Sequence, residues 1–358
     1  MSQGFKKQKV YIGLSGGVDS SVSTKLLIDE GYDVIGVFIK VWQPDWISCT
    51  AKEDRLDAMR ICASLGIKFL DIDLEKEYKS RVIDYMIEEY KKGRTPNPDV
   101  MCNTFVKFGA FFDWAMKNGA DFVATGHYAQ IKKDRSGEFG LYAGEDEEKD
   151  QSYFLWGIIR RNLSKIKFPI GALKKPEVRK LAKKFNLITA DKKDSQGLCF
   201  IGKIDVKDFL SKYIKSKGGK VLDIKGKEIG THNGAVFFTI GERHGFEVKK
   251  VSVDSKPLYV VSKNIVKNTI TVSEFKPLTK KNGHVVKLEG VNELSEIENK
   301  EQLFARFRYR AKLTPVVIEK EAKNMALKVK REVDSLTSGQ SVVLYNRQNK
   351  CVGGAIVA

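Results

Sequence analysis

Two thiols and two carboxylates stand out because of what surrounds them. Asp99 lies three positions ahead of Cys102 in Gly93-Arg94-Thr95-Pro96-Asn97-Pro98-Asp99-Val100-Met101-Cys102-Asn103, a loop whose two prolines keep it from being helical throughout. A helix starting near Asp99 would set both groups on one face, with Cys102 near the first turn. There a thiol's pKa falls below its ordinary value of about 8.5. A buried cysteine beside a capping aspartate would use the same residues. Cys199 lies in Lys192-Lys193-Asp194-Ser195-Gln196-Gly197-Leu198-Cys199-Phe200-Ile201-Gly202, a polar loop just after a lysine cluster, which favours a thiolate. Asp19 belongs to Ser15-Gly16-Gly17-Val18-Asp19-Ser20, directly after the apolar run Val10–Leu14. A strand, a Ser-Gly-Gly turn and a helix-compatible stretch make a turn lined with backbone N–H groups. Its glycines admit close approach, and the helix points its positive end at the site, which therefore suits an anion. Ser15, Ser20 and Ser21 add hydroxyl donors, and Asp19 adds a carboxylate able to hold Mg2+. No lysine follows the second glycine, so this is not the GxxxxGK[ST] loop. The plain alternative is a glycine turn closing an ordinary βα unit.

The elements that must position these groups alternate. Strand-like runs at Val10–Leu14, Val34–Ile39, Lys68–Ile72 and Phe122–Thr125 are separated by helical patterns at Ser21–Asp29, Glu53–Leu65, Tyr78–Lys91 and Lys107–Asn118. Gly31, Gly66 and Gly119 stand where helix-terminating residues are expected. The expectation is an α/β fold with a parallel, doubly wound sheet, whose ligands bind beyond the carboxyl ends of the strands. From Gln151 to about Tyr213 the pattern turns helical and basic. After Lys220 the period becomes two, with turns at Asp223–Gly226 and Asn233-Gly234, and this continues through Phe304–Arg310, Ala326–Val333 and Ser341–Tyr345. A small β-rich domain followed by a β-barrel is expected.

The 358 residues suffice for two or three domains. No run of about 18 apolar residues is present, so no membrane span is expected. Residues 1–9 are too short before the first strand for a signal or transit peptide. Five cysteines without regular spacing do not form a disulfide framework, which makes the cytosol the default. Cys62 and Cys351 read as core, and Cys49 has no clear reading. The net charge of +18 is unevenly spread: residues 1–150 carry 21 basic against 25 acidic residues, residues 151–358 carry 42 against 20. Such asymmetry points to a near-neutral catalytic part joined to a surface for a polyanion, nucleic acid above all.

The SGGVDS segment resembles the pyrophosphate loop of ATP pyrophosphatases, which cleave ATP between the α- and β-phosphates and adenylate a substrate. Together, SGGVDS, GRTPNPDVMCN, ATGHYA, KDQSYFLW, FPIG, KKDSQGLCFIG, FRYR and SGQSVVLY resemble, in order and over nearly the whole chain, the signature segments of the tRNA-specific 2-thiouridylase family. The resemblance implies sulfur transfer to C2 of the wobble uridine of certain tRNAs. It implies a catalytic domain over 1–205, a small central domain over 206–275 and a C-terminal β-barrel over 276–358, the last two contacting tRNA. Carried over, Gly13, Leu14, Ser15, Gly16, Gly17, Val18, Asp19 and Ser20 would hold the ATP phosphates, with Ile39 and Gly126 near adenine and ribose. Asp99 would be the general acid/base, Cys102 the nucleophile and Cys199 the persulfide carrier, loaded by a cysteine desulfurase or relay protein. Asn97, Pro98 and Asp99 would frame the target base. His127, Lys149, Asp150, Gln151, Arg308, Tyr309 and Gln340 would touch tRNA. The stretch Trp42-Gln43-Pro44-Asp45-Trp46 departs from the family, in which acidic residues are more usual there.

Several of these residues also have an ordinary reading. His127 would serve as a satisfied structural histidine, Lys149-Asp150-Gln151 as a solvated loop, and Phe307-Arg308-Tyr309-Arg310 as a strand with its aromatics in the core and its arginines in solvent. The same Arg/Tyr face would stack on RNA. An argininosuccinate-synthase-like ligase, a non-catalytic RNA-binding protein with a relic loop, and an iron–sulfur site built on Asp99, Cys102 and Cys199 remain as competing readings.

Overall fold

A computed structural model describes residues 7–46, 51–134, 136–194, 205–249, 256–278, 284–321, 324–334 and 336–358. The first part is built on strands β1 (Lys9–Gly13), β2 (Asp33–Lys40), β3 (Lys68–Asp73) and β4 (Phe122–Ala124). A hairpin, β5 (Ala129–Lys133) and β6 (Phe139–Ala143), follows, and then β7 (Ile166–Lys167). The sheet is parallel in the order β3-β2-β1-β4-β7. Six consecutive residues of β2, from Val34 to Ile39, are buried. That is the pattern of a strand covered on both faces, and it explains why β2 reads as an unbroken apolar run. Between the strands lie α1 (Val18–Asp29), α2 (Ala51–Leu65) and two longer helical stretches, α3 over residues 75–91 and α4 over residues 98–117. Gly31, at φ +90, ends α1 with its N–H on Ile28 O.

The strand order places β1 beside both β2 and β4. The chain winds out to β3, returns across β1 and continues to β4, so the crevice between the loops leaving β1 and β4 is the topological switch point where ligands bind. The Ser-Gly-Gly loop and Thr125–Tyr128 flank it.

Helices α5 (Lys175–Lys184) and α6 (Val206–Ser211) lead into the central domain. Its sheet holds β8 (Gly219–Leu222), β9 (Glu228–His232), β10 (Phe246–Val248), β11 (Tyr259–Asn264) and β12 (Thr269–Ser273), around Val221, Phe238, Val260, Ile270 and Val272. The last part comprises β13 (His284–Glu293), β14 (Gln302–Arg306), β15 (Thr314–Glu321), β16 (Asn324–Val329), β17 (Ser341–Tyr345) and β18 (Lys350–Val357). These six strands close into a barrel through the β13–β18 pairing. The barrel sheet also takes up β6, with Lys350 opposite Tyr142 and Cys351 opposite Leu141, and carries β5 at its edge. Two strands from early in the chain thereby extend the barrel. Among the described residues no helix is long and apolar enough to cross a membrane.

Candidate active site

The phosphate-type loop begins where β1 runs out. Gly16 sits at φ +69, and a Cβ there would lie 2.5 Å from Asp54 O, so only glycine fits. Gly17 is the N-cap of α1 in extended conformation, with no side chain capping the helix. The α1 serines and threonine lie buried because each bonds a carbonyl one turn back: Ser21 Oγ to Gly17 O, Ser23 Oγ to Asp19 O and Thr24 Oγ1 to Ser20 O, all at 2.8 Å. Ser15 and Ser20 hydroxyls face each other at 3.4 Å across the turn. Leu14 N–H bonds Val37 O, and Val18 is buried. A Cβ on Gly13 would meet the Ile39 side chain at 3.6 Å, and one on Gly126 would lie 2.7 Å from Ser20 N. The β4 loop thus presses directly onto the turn that opens α1.

Asp19 does not point into open solvent. Its Oδ1 accepts from Tyr128 OH, and both its oxygens accept from Lys175 Nζ, all at 2.8 Å. The same ammonium lies 2.8 Å from Asp194 Oδ1. Arg179 Nη2 donates to Asp194 Oδ1 at 2.7 Å and Lys149 Nζ to Oδ2 at 3.0 Å. Burial alone would raise the Asp194 carboxyl, but the hydrogen bonds from Lys175 and Lys149 outweigh it and hold the group down to about 2. Tyr128 is driven far the other way, first by burial and then by the Asp19 charge, and stays a phenol that donates. Neither Lys175 nor Tyr128 was marked out by sequence reasoning. Lys175 is one of twelve basic residues between 151 and 200, where only three acids occur; the one available signal was Asp194 among those three.

The second group gathers at the start of α4. Asn97 is extended and caps the helix, its Oδ1 accepting from Val100 N at 3.2 Å, with Pro98 as first helical residue. Asp99 is in the first turn and Cys102 one turn on, so both share a helix face. The helix therefore begins at residue 98 rather than at the expected Lys107. The backbone ladder widens to π geometry from Cys102 to Phe111 before returning to α, a departure frequent at functional sites. Cys102 is fully buried and in no disulfide with a described residue. Asn103 Nδ2 donates to Asp99 O at 3.0 Å. Cys199, with Gly197 and Gly202, lies outside the described residues.

Thr95, two residues ahead of Asn97, is held by both the central domain and the barrel. Thr95 N–H bonds Ser338 O at 2.9 Å, Gln340 Nε2 donates to Thr95 O at 2.9 Å, and the Thr95 and Thr239 hydroxyls meet at 3.1 Å. Arg308 Nη2 donates to Ile240 O at 3.2 Å. Tyr309 packs on Phe154, ring centres 4.5 Å apart. The expected strand Phe304–Arg310 ends at Arg306: Arg308–Arg310 turn away, with Arg310 at φ +61, so strict alternation of buried aromatics and solvent-facing arginines does not hold there. His127 is buried, its Nδ1 2.7 Å from Thr125 Oγ1, between Phe108 and Phe168. Burial, then the Lys107 charge, pushes it well below the usual histidine range, so it is neutral. Asp150 is buried and bonds Arg306, while Gln151 exchanges hydrogen bonds with the Tyr128 backbone. Lys149-Asp150-Gln151 is thus bonded into the protein rather than solvated.

Cys62 and Cys351 are buried, their thiols pushed up to about 11 and about 12 by burial. Cys49 lies outside the described residues.

Residues 8–203 match the model of the tRNA methyl transferase HUP domain, 207–274 that of the tRNA methyl transferase PRC-barrel domain and 283–357 that of the aminomethyltransferase β-barrel domain. The chain is 43% identical over 358 residues to the tRNA-specific 2-thiouridylase MnmA of Staphylococcus saprophyticus, covering 98% of this chain and 95% of that one. It is 43% identical to that of Staphylococcus carnosus and 41% identical to that of Pediococcus pentosaceus, with the same coverage. With the loop, the helix start and the three-part architecture in place, these matches show that the chain belongs to the tRNA-specific 2-thiouridylase family.

Proposed function

We propose that the protein is an ATP-dependent tRNA-uridine 2-sulfurtransferase acting in the cytoplasm on the wobble uridine of a set of tRNAs. The near full-length match to 2-thiouridylases carries the reading, and a phosphate-suited loop at the sheet's switch point supports it. The uridine 2-carbonyl oxygen is a poor leaving group. Its attack on the α-phosphorus of ATP releases pyrophosphate and makes the oxygen part of AMP, which leaves readily. The N–H groups at the start of α1 stabilise the departing charge.

Asp19 and Asp194 share one ammonium as a stand-in cation, so this carboxylate pair fits Mg2+ completed by phosphate oxygens and water. Bound there, Mg2+ would neutralise pyrophosphate charge.

Asp99 moves protons at the base and Asn97-Pro98-Asp99 frames it. Sulfur comes from a persulfide on Cys199, loaded by a cysteine desulfurase or a relay protein. Two orders are open. The terminal sulfur attacks C2 and expels AMP, after which Cys102 thiolate cleaves the remaining S–S bond; or Cys102 first attacks the persulfide and frees sulfide to attack C2. Both orders form one C–S bond and end in one AMP and a Cys102–Cys199 disulfide, which an external dithiol must reduce.

The test is mass spectrometry of tRNA nucleosides from cells lacking the protein. Wild type should restore 2-thiouridine, and Cys199→Ser and Cys102→Ser should not. Near-normal 2-thiouridine with either variant overturns the two-thiol route.

A further inference from the structure

The phosphate-type loop has no lysine of its own, yet a cation lies across its mouth. Lys175 Nζ reaches Asp19 over 156 positions of sequence, and the lysine side chain is only 12% exposed. Its backbone is fixed from several sides. Val178 and Ala182 of α5 pack against Val18 and Val22 of α1, Lys175 N–H bonds Asp146 Oδ2 at 2.8 Å, and Glu177 Oε2 accepts from Lys174 N. The side chain is the part able to turn.

Three cations, Lys149, Lys175 and Arg179, converge on Asp19 and Asp194 beside the positive end of a twelve-residue helix, while the third carboxylate here, Asp146, is taken by the Lys175 backbone N–H. A helix N-terminus ringed by such cations suits an anion. Of the two carboxylates, Lys149 and Arg179 bond Asp194, whereas among these three cations it is Lys175 that also bonds Asp19 in the first turn of α1.

Resting on the nucleotide reading above, we propose that Lys175 is a phosphate-binding residue, its ammonium passing from Asp19 and Asp194 to the polyphosphate of a nucleoside triphosphate when that substrate enters the loop. The transfer exchanges one charge-assisted set of hydrogen bonds for another and leaves the two carboxylates together for a divalent cation.

Calorimetric titration of the full chain with inorganic pyrophosphate, and separately with ATP and Mg2+, tests this. Lys175→Met should weaken both at least about tenfold, the loss expected for a hydrogen bond to a charged group, and leave tRNA affinity unchanged. Lys175→Arg should retain most of the affinity. Lys180→Met, the same charge change on an exposed position of α5, should bind like wild type. Equal affinities for Lys175→Met and Lys180→Met overturn the proposal and leave the nucleotide reading standing. A wild-type chain that binds neither probe overturns both. Should Lys175→Met not fold, Lys175→Met combined with Asp194→Asn is read against Asp194→Asn alone, with the same two outcomes.

Discussion

Two aspartates, Asp19 and Asp150, are each paired with a cation, and the pairs are built for opposite ends. Asp150, at the seam between the first part of the chain and the barrel, is 2% exposed. Its Oδ1 takes the N–H groups of Gly144 and Ser152 at 3.0 Å, and its Oδ2 takes Arg306 at 2.7 Å. Around it Ser152 bonds Tyr345, Tyr153 bonds Ser341 O, and Asn292 bonds the Trp156 and Ile158 carbonyls. The carboxylate finds all its partners inside the protein. Asp19, about a third exposed, has partners that can be exchanged, and one of them is a lysine shared with a second carboxylate. A buried pair with fixed backbone donors holds domains together, while a partly exposed pair whose lysine is shared between two carboxylates is free to exchange partners.

Substitution should separate the two. The largest effect on chemistry is expected of Asp19→Ala: conversion of ATP to AMP and pyrophosphate in the presence of tRNA should fall at least about a hundredfold, while the melting temperature moves by no more than about 3 °C. Normal turnover in that variant would dissolve the contrast. Arg306→Met should do the reverse. Leaving Asp150 charged and unpaired in the seam costs about 3–5 kcal/mol, read as a lowered denaturation midpoint, with the surviving folded fraction still binding ATP. A midpoint unchanged from wild type would show the seam pair to be dispensable.

The smallest effect is a dependence on pH. Asp194 titrates at about 2 in the folded protein against an ordinary 3.8. Because its pKa is depressed by folding, the stability it contributes is present above that ordinary value and is lost as pH falls toward 2. The difference in melting temperature between wild type and Asp194→Asn should therefore be greatest near neutrality and close on acidification. A difference that persists at pH 2 would assign it to packing instead.

Much of the catalytic part was legible because local rules set it. The buried run of β2, the glycines ending α1 and α2, and the Ser-Gly-Gly turn each announce themselves within a few residues. The start of α4 was half legible: two prolines suggest a loop, yet Pro98 is tolerated as first helical residue once Asn97 caps it. What depends on distant meetings was not legible. Nothing near Lys175 distinguishes it from its neighbours, since its meaning comes from Asp19. The hairpin β5–β6 gives no local hint that its partner is β18, and the turn at Arg308–Arg310 is set by a left-handed residue that is not glycine. His127 shows how a residue in a motif loop can be a neutral, buried support.

The β18 strand pairs with β17, β13 and β6 at once, and Lys350 bonds Asp134 across 216 positions of sequence. This makes it the keystone of assembly as well as of the barrel. Until residues 350–357 arrive, the barrel cannot close and the hairpin has an unpaired edge to offer to any neighbouring chain. Contacts so far apart close slowly. The early sheet can form while the hairpin waits, and during synthesis that interval is the one in which a chaperone is most needed and aggregation most favoured.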